Sequence, residues 1–69
     1  MYTQTYVVAN ISCGHCTHTI EQELKLLAGV QSVHAEEQSK RVTVGVDTPD
    51  ILRVVESTLA EIGYAGVRV

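Results

Sequence analysis

Arg41-Val42-Thr43-Val44-Gly45-Val46, running directly into Asp47-Thr48-Pro49-Asp50, is the stretch that decides the fold. Val42, Val44 and Val46 alternate with Arg41, Thr43 and Gly45, the period of a strand with one apolar face. Thr48-Pro49-Asp50 then reads as a helix start: a hydroxyl to cap, proline at the first helical position, and an acid placed well against the helix dipole. Leu52, Val55, Leu59 and Ile62 recur at helical spacing, and Gly63 is expected to stop the helix. Tyr64 to Val69 leaves room for one last short strand.

Working back toward the N-terminus, Glu37-Gln38-Ser39-Lys40 is a polar turn, and Val33 and Ala35 alternate with polar neighbours before it, so the valine strand is the second arm of a hairpin. Earlier still, Cys16, Ile20, Leu24 and Leu27 are spaced by four, four and three residues, one helical stripe that Gly29 is expected to end. Tyr2, Tyr6 and Val8 share one parity and Thr3, Thr5 and Ala9 the other, which predicts a half-buried first strand, and the short polar run Asn10 to Cys13 breaks it. The order β-α-β-β-α-β is that of the α+β ferredoxin-like split unit. Right-handed crossovers put both helices on one face of a four-stranded antiparallel sheet. No linker or low-complexity tract interrupts the pattern, and residues 1–69 are expected to form one domain.

A chain of 69 residues with 45% apolar and 19% charged residues is a small globular domain, not a disordered one. At this length, folding removes only about 60% of the unfolded surface from water, so stability is limited. The formal charge of -3, with the five basic residues scattered, argues against a nucleic-acid partner or an anionic membrane, which select clustered Lys and Arg. Met1-Tyr2-Thr3-Gln4-Thr5 has neither a basic start nor an apolar run, and no segment approaches the length of a membrane span. A cytoplasmic location without membrane insertion is therefore expected, and there two cysteines stay reduced and read as metal-binding or redox-active.

Those cysteines stand where the first strand meets the first helix, Cys13 in the loop and Cys16 in the first helical turn. Their sulfurs can converge at a helix N-terminus, whose partial positive charge favours thiolate. Two thiolates with no further obvious ligands suit a soft d10 ion such as Cu(I), whereas structural zinc takes four protein ligands. A redox dithiol and an incidental buried pair are the competing readings. A thioredoxin-like site needs a longer chain and a cis-proline facing its substrate, while Pro49 is already explained by the helix start.

The run Asn10-Ile11-Ser12-Cys13-Gly14-His15-Cys16, with its amphipathic helix, Gly29-Val30, the valine hairpin and Gly63-Tyr64, resembles the heavy-metal-associated domain over essentially the whole chain. That family includes cytosolic bacterial copper chaperones, N-terminal domains of copper-transporting P-type ATPases, zinc-handling relatives and periplasmic mercury carriers. The resemblance implies a metal held by Cys13 and Cys16, with His15, Tyr64, Ser12, Gly14 and Ile11 around it. His15 and Tyr64 look like the bacterial copper-chaperone branch. Zinc-handling relatives often carry an acid where this chain has Ser12. The family usually has Gly-Met where this chain has Asn10-Ile11. Ile11 can replace the inward-packing Met at similar volume, and Asn10 tolerates unusual backbone angles.

His15 is open to three readings, a third ligand, a tuning partner of the thiolates or an exposed loop residue, of which tuning is favoured. His18 and His34 read as solvent-facing. The expected function is that of a Cu(I) carrier, not an enzyme. It would deliver its ion by thiolate exchange to the metal-binding domain of a copper-transporting P-type ATPase, with Glu21, Glu23, Glu56 and Glu61 as a candidate acidic docking face. A copper-bridged homodimer is a further expectation. The alternatives are a domain excised from such an ATPase, a carrier for another soft metal (Hg, Ag, Cd or Zn), and a thiol-disulfide redox module.

Overall fold

The computed structural model describes residues 2–12 and 14–69. Its elements run β1 (Tyr2–Val7), α1 (Gly14–Lys25), β2 (Val30–Glu36), β3 (Arg41–Val46), α2 (Ile51–Glu61) and β4 (Val67–Arg68). The strands lie in the order β2-β3-β1-β4, every neighbouring pair antiparallel. Each β-α-β crossover thus joins two parallel strands with a third between them, the ferredoxin-like arrangement expected from the hairpin and its flanking helices.

The period-two residues meet the helical stripes in one cluster. Tyr6 and Val8, with Val42, Val44 and Val46 of β3, are fully removed from solvent against Ile20 and Leu24 of α1 and Val55 and Leu59 of α2. Each such aliphatic side chain contributes about 1.5–3 kcal/mol by burial. Most of that is offset by chain entropy, and folded domains retain only about 0.05–0.15 kcal/mol per residue. The other sheet face carries the cross-strand pair Thr5 and Thr43, whose hydroxyl oxygens are 3.3 Å apart.

Two glycines set the helix exits. Gly63 has φ +87°, the Gly63 N–H donates to Ala60 O at 3.2 Å, and the Tyr64 N–H donates to Leu59 O at 2.8 Å, which is a Schellman ending. Gly29, also at φ +87°, is the third residue of a turn closed by Val30 N–H to Leu27 O, and a Cβ there would overlap the Ile51 side chain. The hairpin turn is completed by Lys40 at φ +58°, the one non-glycine residue with positive φ among those described.

Four expectations shift. Tyr2, the first residue of β1, is 54% exposed and stays outside the core. Helix α1 stops at Lys25, and Leu27 packs against the core from the turn beyond it. Helix α2 is entered without a side-chain cap: Asp50 is already helical at φ -62°, ψ -30°, and Thr48 and Pro49 act through their carbonyls, accepting from the Ile51 and Leu52 N–H groups. The last strand shrinks to Val67–Arg68, since Tyr64 is held back by the helix ending and Gly66 lies tight against Tyr6 and Val8.

That short strand is anchored by a polar contact that no periodicity announces. The Tyr6 hydroxyl donates to Glu56 Oε2 at 2.8 Å, and Arg68 Nε donates to the same oxygen at 2.5 Å. Burial, and then the bond to Glu56, push the Tyr6 phenol above its ordinary pKa. Burial opposes the charge on Glu56, but its bonds from Tyr6 and Arg68 outweigh this and hold its carboxyl below the usual value of 4.5. A depressed carboxylate contributes stability that is present above its unfolded pKa and is lost as pH falls through the folded one. Glu56→Ala, which strips the buried phenol of its acceptor, should cost about 1–3 kcal/mol at neutral pH. Thermal unfolding of wild type and Glu56→Gln should converge as pH falls below the usual carboxyl value of 4.5. A constant gap in midpoint over that range would contradict the assignment.

Candidate metal centre

The junction between β1 and α1 is built by a turn and a helix start. Ile11 N–H donates to Val8 O at 3.2 Å, closing a turn that sends the Ile11 side chain into the core, where it is fully buried. Ile11 therefore occupies the inward packing position expected of it. Helix α1 opens at Gly14, with no acidic residue in its first turn to oppose negative charge on a thiolate. The Thr17 hydroxyl donates to Gly14 O at 2.8 Å and the Thr19 hydroxyl to His15 O at 3.0 Å, so two threonines tie down that turn's carbonyls.

Cys16 sits in this first turn and belongs to the core cluster, 9% exposed. The expectation of an open site is thus modified: this thiol faces inward, while Ser12, Gly14 and His15 around it are exposed. Helical geometry gives the reason, since Cys16 begins the stripe continued by Ile20 and Leu24. Cys13, the other expected ligand, lies outside the described residues. Ser12 Oγ is 3.8 Å from Cys16 Sγ, a hydroxyl-thiol contact in which either can donate. Among the described residues no group of three or more His, Cys, Asp and Glu side chains is placed to hold a metal ion.

Tyr64 is half-buried and packs on the core from the loop after α2. Asn10 Nδ2 donates to Gly63 O at 2.8 Å, so the Tyr64 loop and the loop preceding the cysteines are joined directly. Sequence reasoning assigned Asn10 to backbone tolerance, yet its φ is not positive; the side-chain donor is what the structure uses. His18 and His34 are exposed as expected, His34 lying 3.4 Å from Glu36. The acidic face is thinner than expected. Glu21 accepts a bond from the Ala35 N–H at 3.1 Å and Glu56 is held by Tyr6 and Arg68, which leaves Glu23 and Glu61 as the exposed members of that set.

Known proteins share the fold. The heavy-metal-associated domain family matches residues 5–65. A COP-associated protein of Helicobacter pylori (strain J99 / ATCC 700824) is 32% identical over 59 residues, covering 86% of this chain and 89% of that protein. The solved N-terminal domain of ZntA in its Zn(II) form superposes with a TM-score of 0.86 at 29% identity, over 96% of this chain and 89% of that one. The CopZ metallochaperone superposes with a TM-score of 0.88 at 25% identity, over 96% of this chain and all of that one. No helix among the described residues is long and apolar enough to cross a membrane.

Proposed function

Because the chain belongs to the heavy-metal-associated domain family, we propose that it is a Cu(I) carrier, holding one ion between the thiolates of Cys13 and Cys16. The observation that carries this reading is the placement of Cys16 in the first turn of α1 with a neutral hydroxyl, Ser12, as its neighbour. Helix N–H groups favour the thiolate, and Ser12 offers no carboxylate oxygen of the kind a harder ion such as Zn(II) accepts. The likeness to the CopZ metallochaperone supports the carrier role, and that to the ZntA domain in its Zn(II) form supports Zn(II) as the competing cargo.

Delivery follows from ligand count. With Cu(I) on two sulfurs, a thiolate of a Cys-pair domain on a copper-transporting P-type ATPase adds a lone pair to the metal and gives a three-coordinate ion. One carrier thiolate then leaves and takes up a proton, and a second exchange completes the transfer. The copper stays Cu(I) throughout, so no oxidant or reductant enters, and the role is that of a carrier rather than a catalyst. Entry runs over the exposed Ser12, Gly14 and His15 side of the loop, since Cys16 itself faces inward. His15, on that exposed side, is proposed to tune the thiolates during exchange.

Anaerobic competition between Cu(I) and Zn(II) for the metal-free protein tests the assignment. One Cu(I) per chain, undisplaced by excess Zn(II), is the expected result. Displacement of Cu(I) by Zn(II) at comparable free concentrations would replace this reading with a zinc carrier, and thiol-exchange activity on disulfide substrates without metal binding would replace it with a redox module.

A further inference from the structure

We propose that Asn10 is a positioning residue: its side chain locks the metal-binding loop to the Tyr64 loop and so sets how slowly the thiolates release their ion. The inference rests on the carrier reading above and adds a residue that reading does not use.

Backbone geometry does not call for asparagine at this place. Among the described residues Lys40 alone, besides glycines, has positive φ, so Asn10 is not there to reach a left-handed conformation. Its amide instead spans 53 positions of sequence to donate to Gly63 O at 2.8 Å. Both partners sit on segments that are themselves fixed. On one side the turn is closed by Ile11 N–H to Val8 O, and Ile11 is fully buried. On the other, Gly63 and Tyr64 are tied back to Ala60 and Leu59, Gly66 lies against Tyr6 and Val8, and the Val69 N–H donates to Thr5 O at 3.0 Å.

The Asn10 bond therefore connects two anchored loops. Ser12, whose hydroxyl touches Cys16 Sγ, follows Asn10 by two residues, so freedom lost at Asn10 is freedom lost beside that thiol. Holding a ligand-bearing loop near its bound geometry raises affinity by lowering the ordering cost, and such gains fall mainly on the dissociation rate. The bond is exposed, so its removal leaves the core untouched.

The test uses Asn10→Ala and Asn10→Gly in the full chain. Both remove the donor, and the glycine variant also relaxes the backbone. Release of Cu(I) to a coloured Cu(I) chelator, followed by stopped flow, should be about two- to tenfold faster in both variants, with one copper per chain retained. In the metal-free proteins, amide exchange at Tyr64 and Ala65 should quicken while exchange in β3 stays at the wild-type rate. Wild-type release in either variant overturns the proposal, as does faster release accompanied by equally quickened exchange in β3, which marks general destabilisation. Should the wild-type chain bind no Cu(I), the carrier reading fails by itself; the metal-free exchange at Tyr64 and Ala65 then decides the strap alone, unchanged rates rejecting it.

Discussion

The double replacement Cys13→Ser, Cys16→Ser should lower Cu(I) affinity by about four orders of magnitude while leaving a folded protein. Four-ligand zinc sites of the finger type bind with about 10–16 kcal/mol. If each thiolate here contributes a comparable share, losing both removes at least about 5 kcal/mol, and each 1.4 kcal/mol is tenfold. Folding is less affected. Cys16 is mostly buried, but Ser12 Oγ, 3.8 Å from its sulfur, lies on the side where a serine hydroxyl needs a partner. The expected stability cost is about 1 kcal/mol. Isothermal or chelator-competition titration beside circular dichroism separates the two effects, and a folded double-serine protein that still takes up one Cu(I) at wild-type affinity would remove the thiolates from the mechanism.

Leu59→Ala should bring the domain to the edge of unfolding. Leu59 is fully buried and its carbonyl closes the Schellman ending through the Tyr64 N–H. Its side chain is also among the nearest groups to Gly66, 3.5 Å from the place a Cβ would take. Large-to-small changes at such sites cost about 2–5 kcal/mol. A chain of 69 residues has on the order of 3–10 kcal/mol in total. The effect should reach the site as well, because the loop that carries Tyr64 is tied back to this residue's carbonyl. Urea unfolding should show the midpoint falling by a third or more with the slope unchanged. A loss of under about 1 kcal/mol would mean that Leu59 is not the central core residue its burial makes it.

The element order was legible because each element advertised itself locally. The valine alternation of β3, the stripe Cys16, Ile20, Leu24 of α1 and the stripe Leu52, Val55, Leu59 of α2 all lie where periodicity put them, since an apolar face must meet a core in a chain this small. What was not legible came from contacts between residues far apart in sequence. Thr48 looked like a side-chain cap, but its carbonyl does the work. Tyr64 to Val69 looked like a longer strand, but the helix ending holds Tyr64 back and pairing with β1 starts at Val67.

The same division holds at the site. Cys16 in the first helical turn followed from spacing, and the inward side chain of Ile11 from what the family resemblance implied. That Cys16 would be nearly covered was implicit in its membership of the helical stripe, and was outweighed by the expectation of an accessible ligand. The roles of Asn10 and Glu56 had no local signal, because a single polar side chain reaching a carbonyl 53 residues away, or a phenol 50 residues away, leaves no period to read. Glu21 and Glu56 looked like surface charge for the same reason, although each is engaged within the fold.

Glu21 bears on what the edge of the sheet can offer to a neighbouring strand. Strand β2 lies at the margin of the sheet, where main-chain donors would ordinarily be available to a neighbouring strand, and the Glu21 carboxylate occupies the Ala35 N–H there. A strand laid against that margin finds the Ala35 donor already taken. On the carrier reading proposed above, contact at the end of the molecule that bears the thiol loop would be held by ligands that exchange rather than by strands that must be peeled apart.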